Sequence, residues 1–256
     1  MNLFLLFILF ILIGGYILSF AVERLNIKNI NPVLPEEFEK YYDAEKYRKS
    51  QDYLKENTKF GLVNEGVFLI LLLTFIFAGG FNYIDNFARK FMFNDIVTGL
   101  IFAAILMLLS QIIKIPFSAY HTFVIEEKYG FNKTTPKTFI LDILKSWLLI
   151  AIIGGIVFVV IILFFTKLGN FAWFYFWVAF SFFGLFLTFV APVVIMPLFN
   201  KFVPLEDGEL KSAVEKYAAE QNFKMKGLFK IDGSKRSTKS NAYFTGFGRF
   251  KRIALF

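Results

Sequence analysis

The chain has 256 residues, of which 57% are apolar, 20% aromatic and only 19% charged. A water-soluble domain carries about a quarter charged residues, and 37 Phe exceed what one soluble core could bury, so a soluble globular protein is excluded. The absence of Cys excludes disulfides, thiolate nucleophiles and Cys-held metals, and a single His, His121, excludes a two-His metal site from this chain alone.

In chain order, Leu3 to Val22 is an apolar run without a charge. At about 1.5 Å per residue it is long enough to cross about 30 Å of hydrocarbon. It lacks a basic leader and exceeds a signal-peptide core in length, so it reads as a retained anchor. Segment 23–61 follows, rich in Glu, Lys and Tyr, and its charge spacing predicts a solvated or membrane-surface helical connector. Further spans are predicted over 62–81, 96–113, 140–165 and 171–199. Glu65 is the one charge in 62–81, the second span of the chain. Asp142 and Lys145 fall in the first two turns of the fourth span, where their spacing predicts a mutual ion pair. Pro192 and Pro197 predict a kink or an end in the fifth.

Of the 28 Lys and Arg, 24 lie in segments 23–61, 114–139 and 200–256, and only 3 in the alternate segments 82–95 and 166–170. Basic residues collect on the cytoplasmic side, so the N-terminus is expected outside and the tail in the cytosol. The net charge of +8 is thus a topology signal, and nucleic-acid binding is not expected. In the tail, Pro204 to Asn222 reads as an amphipathic helix, with Asp207 placed to cap its start. Gly227 to Ile231 is strand-like and residues 234–240 form a polar loop. Asn241 to Phe244 and Arg252 to Phe256 read as two strands joined across Gly246 and Gly248. The last of these stops on apolar residues, from which a longer polypeptide is expected. The fold class is therefore a membrane all-α bundle of five transmembrane helices with a partial α+β cytosolic tail.

Residues 232–248, Asp-Gly-Ser-Lys-Arg-Ser-Thr-Lys-Ser-Asn-Ala-Tyr-Phe-Thr-Gly-Phe-Gly, resemble a signature of the zinc-dependent CAAX prenyl endopeptidases. Residues 123–135, Phe-Val-Ile-Glu-Glu-Lys-Tyr-Gly-Phe-Asn-Lys-Thr-Thr, look like a second segment of that family. The resemblance implies the N-terminal portion of a seven-helix membrane barrel around a water-filled chamber. Residues 1–203 would be its five-span domain, and 204–256 the start of a metallopeptidase domain. It implies a zinc metalloendopeptidase that cleaves peptides, including CAAX C-termini of prenylated proteins, within a lipid bilayer. In the family, zinc is held by two His of an H-E-x-x-H helix and a downstream Glu, while the helix's own Glu activates water. This sequence contains no H-E-x-x-H. No catalytic residue and no metal ligand are therefore carried over, and the chain alone is expected to bind no zinc and to be inactive. What is carried over is a substrate-binding stretch, Asn241, Ala242, Tyr243 and Phe244, expected on an edge strand to which an extended peptide can add. Asn241 would offer its side-chain amide to the substrate backbone and Tyr243 an aromatic wall. Read without the resemblance, the same stretch is a plain turn-and-strand element.

Other residues carry less. His121, at the end of the third span, reads as a hydrogen-bonding residue rather than a ligand. Glu65 reads as the first turn of its helix, facing either the interface or a chamber. Glu126, Glu127 and Lys128 form an exposed charge run. The competing functions are a non-catalytic membrane scaffold and a transporter or channel subunit. The spans hold few ionisable groups and no matched pair of broken helices, which argues against the latter. Absence of Cys with abundant Lys, Phe and Ile favours a bacterial inner membrane over an endoplasmic reticulum.

Overall fold

The computed structural model describes residues 3–233, 235–245 and 251–255. It divides into two compact units, residues 1–129 and 130–256. Five helical stretches are long and apolar enough to cross a membrane: Leu3–Asn29, Ala44–Phe77, Asp95–Glu126, Pro136–Lys167 and Gly169–Val190. Large apolar side chains such as Phe4, Ile70 and Phe182 lie exposed along them, as lipid-facing residues do, since hydrocarbon rather than water must solvate them.

In the first unit, α1 (Leu3–Asn29) packs on α2 (Ala44–Phe77). The connector between them holds one turn of 3₁₀-helix at Glu36–Phe38. Asp43 caps α2, its carboxylate accepting the Lys46 N–H at 2.8 Å. Helix α2 therefore begins 18 residues before the apolar run at 62, and the solvated helix and the second span are one element. This corrects the placing of Glu65, which sits in mid-helix, where the N-terminal dipole no longer acts. Gly79 turns the chain at φ 71° into α3 (Gly80–Arg89), a short helix where sequence reading expects only a loop. It buries Ile84 and Ala88, pairs Asp85 with Arg89 on its other side, and packs on α4. Helix α4 (Asp95–Tyr120), capped by Asn94, contains Pro116 and runs on as a π-helical stretch over His121–Glu126.

In the second unit, Thr135 caps α5 (Pro136–Leu149), whose Pro occupies the first position, where no N–H is needed. A π-turn over Ile150–Gly154 joins it to α6 (Gly155–Lys167). After a turn at Gly169, α7 (Ala172–Val190) gives way to a π-turn over Ala191–Ile195 that contains Pro192. A 3₁₀ turn over Met196–Leu198 contains Pro197, so the two prolines do end the regular helix, each lacking the N–H that an α-helix would use.

The polar part of this unit is a four-stranded sheet with one helix. β1 (Phe202–Pro204), α8 (Glu209–Glu220), β2 (Met225–Ile231), β3 (Ala242–Thr245) and β4 (Lys251–Leu255) give the order β1-β2-β4-β3. β1 is antiparallel to β2, β2 is parallel to β4, and β3 is antiparallel to β4. Leu228, Ile231 and Ala254, on the two central strands, are buried. Asp207 does not cap α8. The residue before the helix is Gly208, in extended backbone, and Asp207 instead accepts Lys211 Nζ at 2.6 Å, four residues on. That pairing holds the carboxylate below its usual range, through the hydrogen bond first and the lysine's charge second. The expected junction at Gly246 and Gly248 lies outside the described residues.

Candidate functional site: an edge strand and the loop that carries it

β3 is the last strand of the sheet, paired on one side only, by Ala242 with Leu255, Tyr243 with Ala254, Phe244 with Ile253 and Thr245 with Arg252. Strand alternation puts Tyr243 and Thr245 on one face, half-buried, and Ala242 and Phe244 on the other, exposed. Tyr243 donates its hydroxyl to Met196 Sδ at 3.2 Å, and burial pushes its phenol above the ordinary tyrosine value. Phe244 meets Phe223 edge-on, with ring centroids 5.5 Å apart. Asn241 lies one residue ahead of the strand rather than in it. Its side-chain oxygen accepts the Ala242 N–H at 2.8 Å, and the residue is exposed. The four expected substrate-binding residues are therefore contiguous at one free edge.

The loop before β3 is bolted down more firmly than a polar loop suggests. Arg236 donates from Nε and Nη2 to both oxygens of Asp142 at 2.7 and 2.8 Å, and from Nη1 to Asn200 Oδ1 at 2.7 Å. The side chains of this pair are only 25% and 23% exposed, a setting in which a forked, charge-assisted pair is strong. Its hydrogen bond to Asp142 raises the guanidinium's pKa further, so Arg236 stays charged throughout. The Arg236 carbonyl accepts the Lys133 N–H at 3.0 Å and the Thr134 hydroxyl at 3.2 Å. Thr238 donates its N–H to the Phe131 carbonyl and its hydroxyl to that of Gly130. Residues 130–134 and 236–238, from the two signature-like segments, are thus in direct contact. Asp142 consequently does not pair with Lys145. Arg236 offers a planar fork that a flexible ammonium cannot match, and Lys145 donates instead to the Leu198 carbonyl at 2.8 Å.

The first half of the other segment forms its own network in the first unit. Tyr53 donates to Glu126; Lys128 and Tyr129 both donate to Glu56, at 2.6 and 2.7 Å. Burial first, and then Glu56, pushes the Tyr129 phenol up to about 12. His121 Nε2 lies 2.8 Å from Asn57 Oδ1 and 3.8 Å from Glu126, the hydrogen-bonding role expected of it. Glu126 and Lys128 are therefore paired groups, not merely solvated charges. Glu65 accepts Ser19 Oγ at 3.0 Å on the wall of an apolar cavity of about 930 Å³ among α1, α2 and α4. The distant partners of Asp142, Glu56 and Glu65 carry no signal in the sequence, because nothing local distinguishes a paired acid from a solvated one.

Among the described residues no three His, Cys, Asp or Glu side chains come together to hold a metal. The residues present do not fit the zinc implied by the family resemblance, and no step through zinc is derived from them.

Five membrane-length helices and a small α+β region with β3 at an edge of its sheet define a multi-pass integral membrane protein with an appended polar domain. Residues 23–201 match the family "CAAX prenyl protease N-terminal, five membrane helices", and residues 204–256 match "Peptidase family M48". The chain belongs to the CAAX prenyl protease family. It is 39% identical over 229 residues to "Probable CAAX prenyl protease 1" of Schizosaccharomyces pombe, covering 84% of this chain and 48% of that protein. It is 38% identical over 254 residues to "CAAX prenyl protease 1" of Saccharomyces cerevisiae, covering 94% and 55%. The crystal structure of S. mikatae Ste24p superposes with a TM-score of 0.89 at 35% identity, over all of this chain and 62% of that one. The chain thus spans about half the length of the curated relatives it matches.

Proposed function

We propose that this chain supplies the membrane domain and the substrate-binding edge strand of a zinc metalloendopeptidase that cleaves peptides, CAAX-type C-termini of prenylated proteins among them. The observation that carries the reading is β3, a strand with one open edge inside the segment that resembles the family signature. An extended substrate adds to that edge as a fifth strand, its backbone pairing with groups that β4 leaves free. With its oxygen held by Ala242, exposed Asn241 uses its NH₂ to donate to a substrate carbonyl beside the strand's start. Tyr243, fixed through Met196, walls one face. The chain's own part is to bind and straighten the peptide; the hydrolytic zinc belongs to the family's H-E-x-x-H helix. The change of matched family between residues 201 and 204 supports a membrane domain over 1–203 and a metallopeptidase domain from 204. The distribution of Lys and Arg supports a cytosolic tail and an N-terminus on the outer side. The relatives compared above are fungal, so a bacterial inner membrane finds no support among them.

The test is a chimera of this chain followed by the remaining half of the S. pombe relative, assayed on a prenylated CAAX peptide. Asn241→Ala removes one oriented hydrogen bond and is expected to lower kcat/KM roughly ten- to hundredfold, about 1–3 kcal/mol of transition-state binding. Zinc content and melting temperature should stay unchanged. Unchanged kcat/KM with a lowered melting temperature would make the strand scaffold and end the assignment.

A further inference from the structure

A second cavity, of about 630 Å³, lies between β1, the end of β2 and the loop leading to β3. Lys201, just ahead of β1, Lys230 in β2 and Lys239 in the loop line it. Ser237, Thr238 and Ser240 add hydroxyls from the loop. Two acids also face it, Asp232 and Glu206. Asp232 also pairs with Lys235, at 3.1 Å, and the lining lysines outnumber the lining acids by three to two. The floor is fixed, since the Asp232 N–H donates to the Lys201 carbonyl at 3.0 Å and the Gly233 N–H to that of Ile231 at 2.8 Å. Lys239 is steadied with its Nζ 4.6 Å from the Phe131 ring centre.

The position of the cavity is as informative as its charge. Lys201 follows the 3₁₀ turn Met196–Leu198 by three residues and is the first charged residue after the uncharged, largely apolar run 171–199, so it stands on the polar side of the boundary where that run ends. Strongly hydrated ammonium groups beside such a boundary are well placed for phosphate oxygens, and the loop hydroxyls can donate to the same anion. The volume suits a polar headgroup and is too small for a folded partner.

We propose that this cavity binds a phosphate-bearing anion at the membrane surface, the phosphorylated headgroup of an anionic lipid being its source. The site is independent of the edge strand and of peptide hydrolysis.

Binding is read on the purified full chain in neutral detergent with three probes: dioctanoyl phosphatidylinositol 4-phosphate, dioctanoyl phosphatidylcholine and inorganic phosphate. The phosphoinositide should bind at least tenfold more tightly than phosphatidylcholine, and less tightly at high salt. Lys201→Gln, Lys230→Gln and Lys239→Gln should each weaken it roughly fivefold, the equivalent of about 1 kcal/mol per basic residue near a charged surface. Lys216→Gln on α8, outside the cavity, should have no effect, and any variant that fails to fold is replaced by the matching Lys→Arg, which keeps the charge and should keep binding. Inorganic phosphate bound as tightly, with the same dependence on the lysines, would keep the anion site but overturn its lipid source. Equal affinity for the two lipids, or a phosphoinositide affinity indifferent to all three lysines, would overturn the site itself.

Discussion

Arg236 shows what a single side chain decides in this molecule. Its fork joins Asp142, in the second turn of α5, to Asn200, two residues past the 3₁₀ turn Met196–Leu198, while its own carbonyl holds residues 133 and 134. Both partners of the pair are about three-quarters buried, so solvent screens it less than a surface ion pair. Arg236→Ala should cost about 2–3 kcal/mol, because it strands the Asp142 carboxylate as well as removing bonds. The double substitution with Asp142→Asn should cost clearly less than the sum of the two single changes, since two partners lost together leave no unpaired charge. Thermal unfolding in detergent measures all three. A single-variant cost under about 0.5 kcal/mol would mean that the pair behaves as a solvated one. Asn241, by contrast, makes one local bond to its neighbour, which is why its substitution is expected to act on substrate binding and not on folding.

At the scale of elements, α2 is the instructive case. A helix of 34 residues spans about 50 Å, well beyond the hydrocarbon thickness, so its first turns belong to the polar phase. Hydropathy finds the apolar half from 62 onward but is blind to the polar half, which stays helical through capping by Asp43 and tertiary contacts of Tyr53, Glu56 and Asn57. Asp43→Ala should therefore fray the start by about 1 kcal/mol, read as faster hydrogen exchange at the Lys46 amide, with the melting temperature scarcely moved. Unchanged exchange at Lys46 would show that the tertiary contacts alone hold this end. Helix α3 is the opposite case. Ten residues are too few for a span, and its amphipathic face becomes visible only once Ile84 and Ala88 are seen to be covered. The expected strands were legible to within a residue or two, since alternation and turn residues are local. Their order was not legible, because β4 enters between β2 and β3, parallel to one and antiparallel to the other.

For the whole molecule, the first expectation to check is which side of the membrane each segment occupies. The chain has no Cys, so single cysteines report without background. Lys28→Cys and Lys211→Cys, on either side of an even number of membrane crossings, should both react with an impermeant reagent only after the cytosolic face is opened. Labelling of either from the outer face of sealed vesicles would overturn the orientation drawn from the basic residues.

The sequence by itself determined the five spans, the family and the place of the stretch proposed to bind substrate. A span is a property of about 20 consecutive residues, each carrying its own cost of leaving water, and the signature-like segments are contiguous. Tertiary structure alone decided that Asp142 belongs to Arg236, 94 residues away, and that Glu65 belongs to Ser19, 46 away. It alone set the strand order β1-β2-β4-β3 and gathered Lys201, Lys230 and Lys239 around one cavity. The partner of a charge and the neighbour of a strand are set by which distant segments meet, and the residues beside them in the chain do not encode that meeting.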